Sequence, residues 1–142
     1  MEWMFLPLKR YFDFKGRSRR KEFWLFVLFQ IIVMMIASFI DVALGFGQVD
    51  SYAQATEGYS AGFSMNSSGP VLIITALALL IPGLAVAVRR LHDTDRSGWW
   101  LLFNLVPLVG FITIIVFYCL EGTSGPNRFG EDPKGRAPGG FA

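Results

Sequence analysis

Residues 71–88 read VLIITALALLIPGLAVAV, and residues 89–100 read RRLHDTDRSGWW. The first stretch holds 18 residues without a charge, and at ~1.5 Å per residue it covers about 27 Å, close to the hydrocarbon thickness of a bilayer. A soluble helix alternates an apolar stripe with a polar face, and this run has no polar face. It is therefore read as a transmembrane helix that ends at Arg89. Directly behind it, Arg89–Arg96 packs three arginines, two aspartates and the only histidine of the chain into eight positions. Pro82-Gly83 inside the run predict a kink or a close backbone approach.

Two further apolar runs flank this pair. Residues 23–40, FWLFVLFQIIVMMIASFI, contain Gln30 as the one strongly polar residue, which is expected to face another helix. Residues 99–120, WWLLFNLVPLVGFITIIVFYCL, carry Asn104, Pro107 and Gly110. Pro107 divides that run into pieces too short to cross a bilayer alone but long enough together; a re-entrant hairpin is the alternative to a crossing. Whole-chain composition agrees: 53% of the 142 residues are hydrophobic and 17% are charged, against about 25% charged in soluble proteins. Mean hydropathy is +0.45. The length suggests one domain. Cys119 is the single cysteine, so no intramolecular disulfide is available.

The net charge of +2 is small but unevenly placed. Lys and Arg number seven in residues 1–22, none in 41–70, three in 89–98 and three in 121–142. That distribution follows the positive-inside rule and puts the N-terminus in the cytoplasm, with residues 89–98 on the same side. It offers no basic face on a soluble fold, so nucleic acid is not an expected partner. In residues 1–22, MEWMFLPLKRYFDFKGRSRRKE, aromatic and basic residues interleave as they do in segments lying at the headgroup layer. Pro7 is expected in the first turn of any helix there, and Ser18 is a candidate N-cap for the next one. Residues 45–70 are rich in Gly, Ser and Ala, carry Asp50 and Glu57, and read as a non-cytoplasmic loop. Residues 134–142 read as a flexible C-terminal tail behind a membrane domain of residues 1–133.

In a helix running past the membrane surface, Arg89, His92, Asp93 and Arg96 fall at i, i+3, i+4 and i+7 and share one face. Asp93 is then positioned to pair with Arg89 and Arg96, and Arg90 points away, where it can meet lipid phosphate. Ser97 is placed to cap the next helix, with Trp99 and Trp100 in the aromatic belt. Four readings compete. The segment orders a loop and fixes orientation; it binds an anionic headgroup or a partner's acidic group; it catalyses, with His92 as base or Asp93-x-Asp95 on a metal; or it lines a pore. Asp-x-Asp alone is a weak metal motif, and one histidine without a companion is a poor transition-metal site. Charge at the membrane edge rather than its middle disfavours an ion pathway.

The strings FKGRSRRKEFW (residues 14–24), RRLHDTDRSGWW (89–100) and GTSGPNRFGEDP (122–133) together resemble one bacterial family, domain of unknown function 805, the YhaH-type inner-membrane proteins. The resemblance covers about Tyr11 to Pro133 and implies a bacterial inner-membrane location without implying an activity. The expectation is thus an all-α, multi-pass membrane protein with three transmembrane helices and a basic amphipathic N-terminal segment. Its function is expected to be non-enzymatic: binding of anionic phospholipid, or of a membrane-protein partner or second copy. Arg89, Arg90, His92, Asp93 and Arg96 would carry it, with Arg17, Arg19 and Arg20 from the same side. Asn127 and Arg128, in a turn that looks shaped to touch the Arg-rich loop, complete the candidate set. No cofactor or metal is expected. A membrane-embedded enzyme acting on a phosphorylated or lipid substrate, and a subunit of an oligomeric transporter, are the alternatives.

Overall fold

The computed structural model describes residues 2–55, 59–67 and 69–136. Among the described residues, four α-helices, one 3-10 helix and one β-ribbon follow in the order α1 (Glu2–Lys9), α2 (Arg20–Ala43), β1 (Gly47–Ala55), β2 (Tyr59–Ser67), α3 (Pro70–Asp93), a 3-10 helix (Gly98–Leu105) and α4 (Val109–Cys119). Helices α2 and α3, each of 24 residues, are long and apolar enough to cross a membrane, and α4 is a shorter apolar helix. The helical membrane class and its three apolar segments are as the sequence reads.

The described residues fall into two compact units, residues 30–79 and residues 1–29 with 80–142. In the first, Gln30 Nε2 donates to the Leu79 carbonyl at 3.2 Å, the helix-to-helix bond expected of a lone amide in an apolar run. Asp41, fully buried, caps the start of α3: its two carboxylate oxygens accept the Val71 and Leu72 N–H groups at 3.1 and 2.7 Å. Those amides have no partner within their own helix, and a negative charge there also meets the positive end of the helix dipole. Gly69 lies so close that a Cβ would stand 2.2 Å from the Asp41 carboxyl carbon. The segment read as a loop carries a two-stranded antiparallel ribbon, paired from Gly47↔Ser67 to Ala55↔Tyr59. Its sequence has neither a β-branched alternation nor a two-residue Asn-Gly turn, the two signals by which a hairpin is read.

In the other unit, α1 begins before Pro7 rather than at it, and a turn closes it with Arg10 N–H on the Leu6 carbonyl. Phe5 meets Phe29 edge-on at 5.5 Å. The third apolar segment is helical but doubles back on itself. The 3-10 helix stops at Leu105. A tight turn through Pro107 puts Leu108 at φ 64°, with Val109 N–H on the Pro107 carbonyl, and α4 then runs the other way. Gly110 makes the reversal possible, because a Cβ there would lie 1.7 Å from the Phe103 carbonyl oxygen. Trp100 contacts Phe117 edge-on at 5.3 Å, near the far ends of the two arms. Eight 3-10 residues at ~2.0 Å and eleven α residues at ~1.5 Å both give arms of about 16 Å, roughly half a hydrocarbon core. Ser97 holds the N-cap position of the 3-10 helix in extended conformation but makes no side-chain capping bond, contrary to the expectation for it.

Replacing Asp41 by Ala strands two amides in an apolar setting and is expected to cost about 1–3 kcal/mol. Asp41→Asn, which keeps one acceptor oxygen, should fall between. Thermal denaturation of the three purified proteins in one detergent measures the order.

Candidate functional site

The unit of residues 1–29 and 80–142 concentrates the chemistry. Three guanidinium groups, Arg17, Arg89 and Arg90, and three carboxylates, Glu22, Asp93 and Asp132, are all buried there. Charges taken out of water are tolerated only when paired and hydrogen-bonded. Here each one is. Arg17 comes from the loop before α2, and its Nε donates to Asp93 Oδ1 at 3.0 Å. Its two terminal nitrogens donate to the Gly125 and Thr123 carbonyls at 2.7 and 2.5 Å. Arg90 donates to Asp93 Oδ2 at 2.6 Å, to the Tyr118 carbonyl at 3.2 Å and to the Leu120 carbonyl. Arg89 donates to Ser18 Oγ at 3.1 Å, to Glu22 Oε1 at 3.2 Å and to the Asp13 carbonyl.

This geometry redraws the pairings read from helical spacing. Asp93 bonds Arg90 and Arg17, not Arg89 or Arg96. Helix α3 ends at Asp93 in a turn with Asp95 at φ 56°, so Arg96 leaves the expected face and lies over the Phe117 ring at 3.9 Å. Arg90 does not point toward lipid but into the protein. Ser18 accepts a bond from Arg89 in place of capping α2, whose first turn starts from the Arg19 carbonyl. Asp93 and Asp95 separate: one is buried between two arginines, and the other pairs with exposed Arg128 at 3.2 Å.

The residues after α4 close over the end of α3. Thr123 N–H donates to the Asp93 carbonyl at 2.9 Å. Gly122 passes so near that a Cβ would stand 2.0 Å from Asp93 Oδ2. Asn127 Nδ2 donates to the His92 carbonyl at 2.9 Å, its Oδ1 accepts the Phe129 N–H, and Phe129 stacks on the His92 ring at 3.9 Å between centroids and 3° between planes. His92 Nδ1 faces the Gly16 carbonyl at 3.2 Å, a contact that suits the Nδ1–H tautomer. The turn at Asn127–Phe129 therefore does meet the Arg-rich segment. Three straight crossings would hold the two apart; the doubled-back third segment joins them.

Reading the sequence alone misses the carboxylates that complete the cluster. Glu22 lies in a basic run and passes for a helix-start residue; its signal is a single acid closing a run of five cations from Lys15 to Lys21. Asp132 lies in a Gly- and Pro-rich tail. Burial alone would raise the Asp132 carboxyl. The Arg136 guanidinium and the Lys134 and Gly125 amides outweigh that and hold it well below the usual carboxylate range. Lys134 and Arg136, assigned by sequence to a loose tail, are tied in: Arg136 Nε donates to Asp132 at 2.8 Å, and both side chains bond Glu121. Residues 137–142 of that tail lie outside the described residues.

A second group of cations stays accessible. Arg19, Arg20, Lys21 and Lys134 line a cleft of about 370 Å³. Arg20 pairs with Glu121 and donates to the Cys119 carbonyl at 3.0 Å, while Arg19 donates to the Pro133 carbonyl. Burial, with Arg136 and Arg20 nearby, pulls the Lys134 ammonium below its ordinary value. Positive charge is thus crowded here.

Membrane-length apolar helices, with a neutralised charge cluster at the start of α2 and the end of α3, define a small helical integral membrane protein. The family described as "Protein of unknown function (DUF805)" matches residues 11–131, and this chain belongs to it. Inner membrane protein YhaH of Escherichia coli (strain K12) is 41% identical over 134 residues, covering 94% of this chain and 98% of that protein. Inner membrane protein YhaI of the same strain is 43% identical over 135 residues, covering 94% and 97%. A more distant relative, uncharacterized protein YiiR, is 24% identical with 87% of each chain covered. No solved structure matches.

Asp93→Asn leaves two buried guanidinium groups short of charge and is expected to lower stability by about 3–5 kcal/mol, whereas Arg96→Ala removes a partly exposed ring contact and one bond to the Thr94 carbonyl and should shift it by about 1 kcal/mol. Gly122→Ala should resemble Asp93→Asn, since the added methyl occupies the carboxylate's position. Thermal melts of the three variants test the ranking.

Asp132 also predicts a pH dependence. Its folded pKa is depressed, so its contribution is fully present above the ordinary carboxylate value of about 4 and declines progressively below it as pH falls toward the lower folded value. Melting temperature between pH 5 and pH 2 should therefore drop with acid by a component that Asp132→Asn lacks.

Proposed function

We propose that this inner-membrane protein is a non-enzymatic module that docks the phosphate of an anionic phospholipid at the cytoplasmic edge of the bilayer. The observation that carries the reading is the cleft lined by Arg19, Arg20, Lys21 and Lys134. Helix α2 begins at Arg20, so three of these cations stand at the point where the chain enters its first apolar segment. The buried set holds three positive and three negative side chains and has no net charge to offer a ligand. Arg17, Arg89, Arg90 and Asp93 then serve as the frame, and Arg19 and Arg20 as the contact. Basic residues near an anionic surface contribute roughly 1 kcal/mol each, so four give about 4 kcal/mol, a millimolar affinity in free solution. For a ligand confined to the same bilayer, that is enough for preferential occupancy.

The N-terminus is cytoplasmic in this reading, as the seven basic residues ahead of the first apolar run and their absence from residues 41–70 favour. The segment from Gly98 to Cys119 dips into the membrane and returns, so that α2 and α3 are the two crossings and residues 121–136 lie on the cytoplasmic side. The matched arms of that segment and the Thr123–Asp93 bond support it.

Purified wild type should retain phosphatidylglycerol in preference to phosphatidylcholine. Arg19→Ala/Lys21→Ala should lower that preference by about 30-fold, from roughly 1 kcal/mol per cation removed. Equal retention by two correctly inserted proteins would sink the reading. In a Cys119→Ser background, Glu131→Cys should be labelled from the cytoplasmic side alone; labelling from outside would remove the re-entrant threading.

A further inference from the structure

A carboxylate beside the basic cleft already engages two of its cations. Glu121, two residues past the end of α4, bonds Lys134, pairs with Arg20, and accepts from Arg136 at 3.1 Å. One anion thus answers three cations, two of which line the cleft. The arrangement differs from the buried cluster in two ways. Its charges do not balance, and its side chains stay accessible: Glu121 is 46% exposed, Arg20 38% and Lys134 36%. Neither burial nor a saturated bond set holds the carboxylate in position. Its three cations are attached to separate pieces of chain, Arg20 to α2 and Lys134 and Arg136 to the segment beyond Asp132.

We propose that Glu121 is a built-in counter-ion that occupies the phosphate position of the cleft and is displaced when an anionic ligand binds. This rests on the phosphate-docking reading and adds its regulation. A lipid phosphodiester offers two non-bridging oxygens, and free phosphate four, to the same donors, and Arg20 can present its planar fork to two of them. On entry, the phosphate takes over Arg20 and Lys134, and Glu121 swings to solvent, retaining Arg136. The internal carboxylate weakens every anion that must displace it by the same factor, so it sets how tightly the cleft binds rather than which anion it prefers.

The test measures binding to the full-length protein in nanodiscs, comparing wild type, Glu121→Gln and Glu131→Gln. One arm titrates inorganic phosphate into phosphatidylcholine discs; a second exchanges phosphatidylglycerol into them. Glu121→Gln is expected to tighten binding about fivefold, the scale of one half-exposed ion pair. Glu131→Gln removes the same charge from an exposed tail position and should leave binding near wild type. Tightening in the first arm alone assigns the cleft to free phosphate, and tightening with phosphatidylglycerol assigns it to the headgroup. Unchanged or weaker binding in Glu121→Gln, or equal tightening in Glu131→Gln, overturns the counter-ion role. If wild type binds neither probe, the docking reading fails instead.

Discussion

The bond between Asp93 and two arginines from different parts of the chain is the interaction on which this unit depends. Arg90 lies one helical turn before Asp93, and Arg17 is 76 residues away in the loop ahead of α2. At the edge of a bilayer, an unpaired carboxylate or guanidinium would draw water into the apolar layer or shift its protonation. Asp93 removes that penalty for two cations at once, and the carbonyls around it remove what is left. Breaking the set at any point exposes several charges together, so its members persist or fail as a group.

Much of this architecture is legible in the sequence. Long uncharged runs can do little except cross a bilayer, and Gln30 among eighteen residues has one economical use, a bond to a neighbouring helix. The resemblance carried by three short strings likewise leads to the family to which the chain belongs. What spacing cannot supply is the end of a helix. The pairing of Asp93 with Arg96 assumes helix beyond residue 93, and the turn at Asp95 cancels it. Arg90, read as facing outward, faces inward because the chain returns after Leu120 and offers its carbonyls. Those carbonyls leave no mark on residue identity. The doubling back at Pro107 has the same character: a proline within an apolar run suits a kinked crossing as well as a reversal, and Gly110 against Phe103 decides between them.

The cations thus divide between two kinds of chemistry. Inside, guanidinium groups meet equal numbers of carboxylates, bonds are saturated, and nothing remains for a ligand. At the cleft, four basic residues gather in partly open surroundings, and two of them share one carboxylate. Both groups come from the same short strings, and neighbouring arginines go opposite ways: Arg17 inward, Arg19 and Arg20 to the cleft. A dense run of charge in a sequence is therefore not a site by itself. Which members are left unbalanced after folding identifies the part able to recognise something else.

Arg17 and Arg90 hold the segment after α4 almost wholly through main-chain oxygens, those of Tyr118, Leu120, Thr123 and Gly125. Such recognition is blind to side chains. It constrains the path of the chain and, at Gly122, the absence of a side chain, whereas side-chain identities further along are held by other contacts, those of Asn127 with the His92 carbonyl and of Asp132 with Arg136. An insertion or deletion there would move the carbonyls out of register with the arginines and do far more harm than any ordinary substitution.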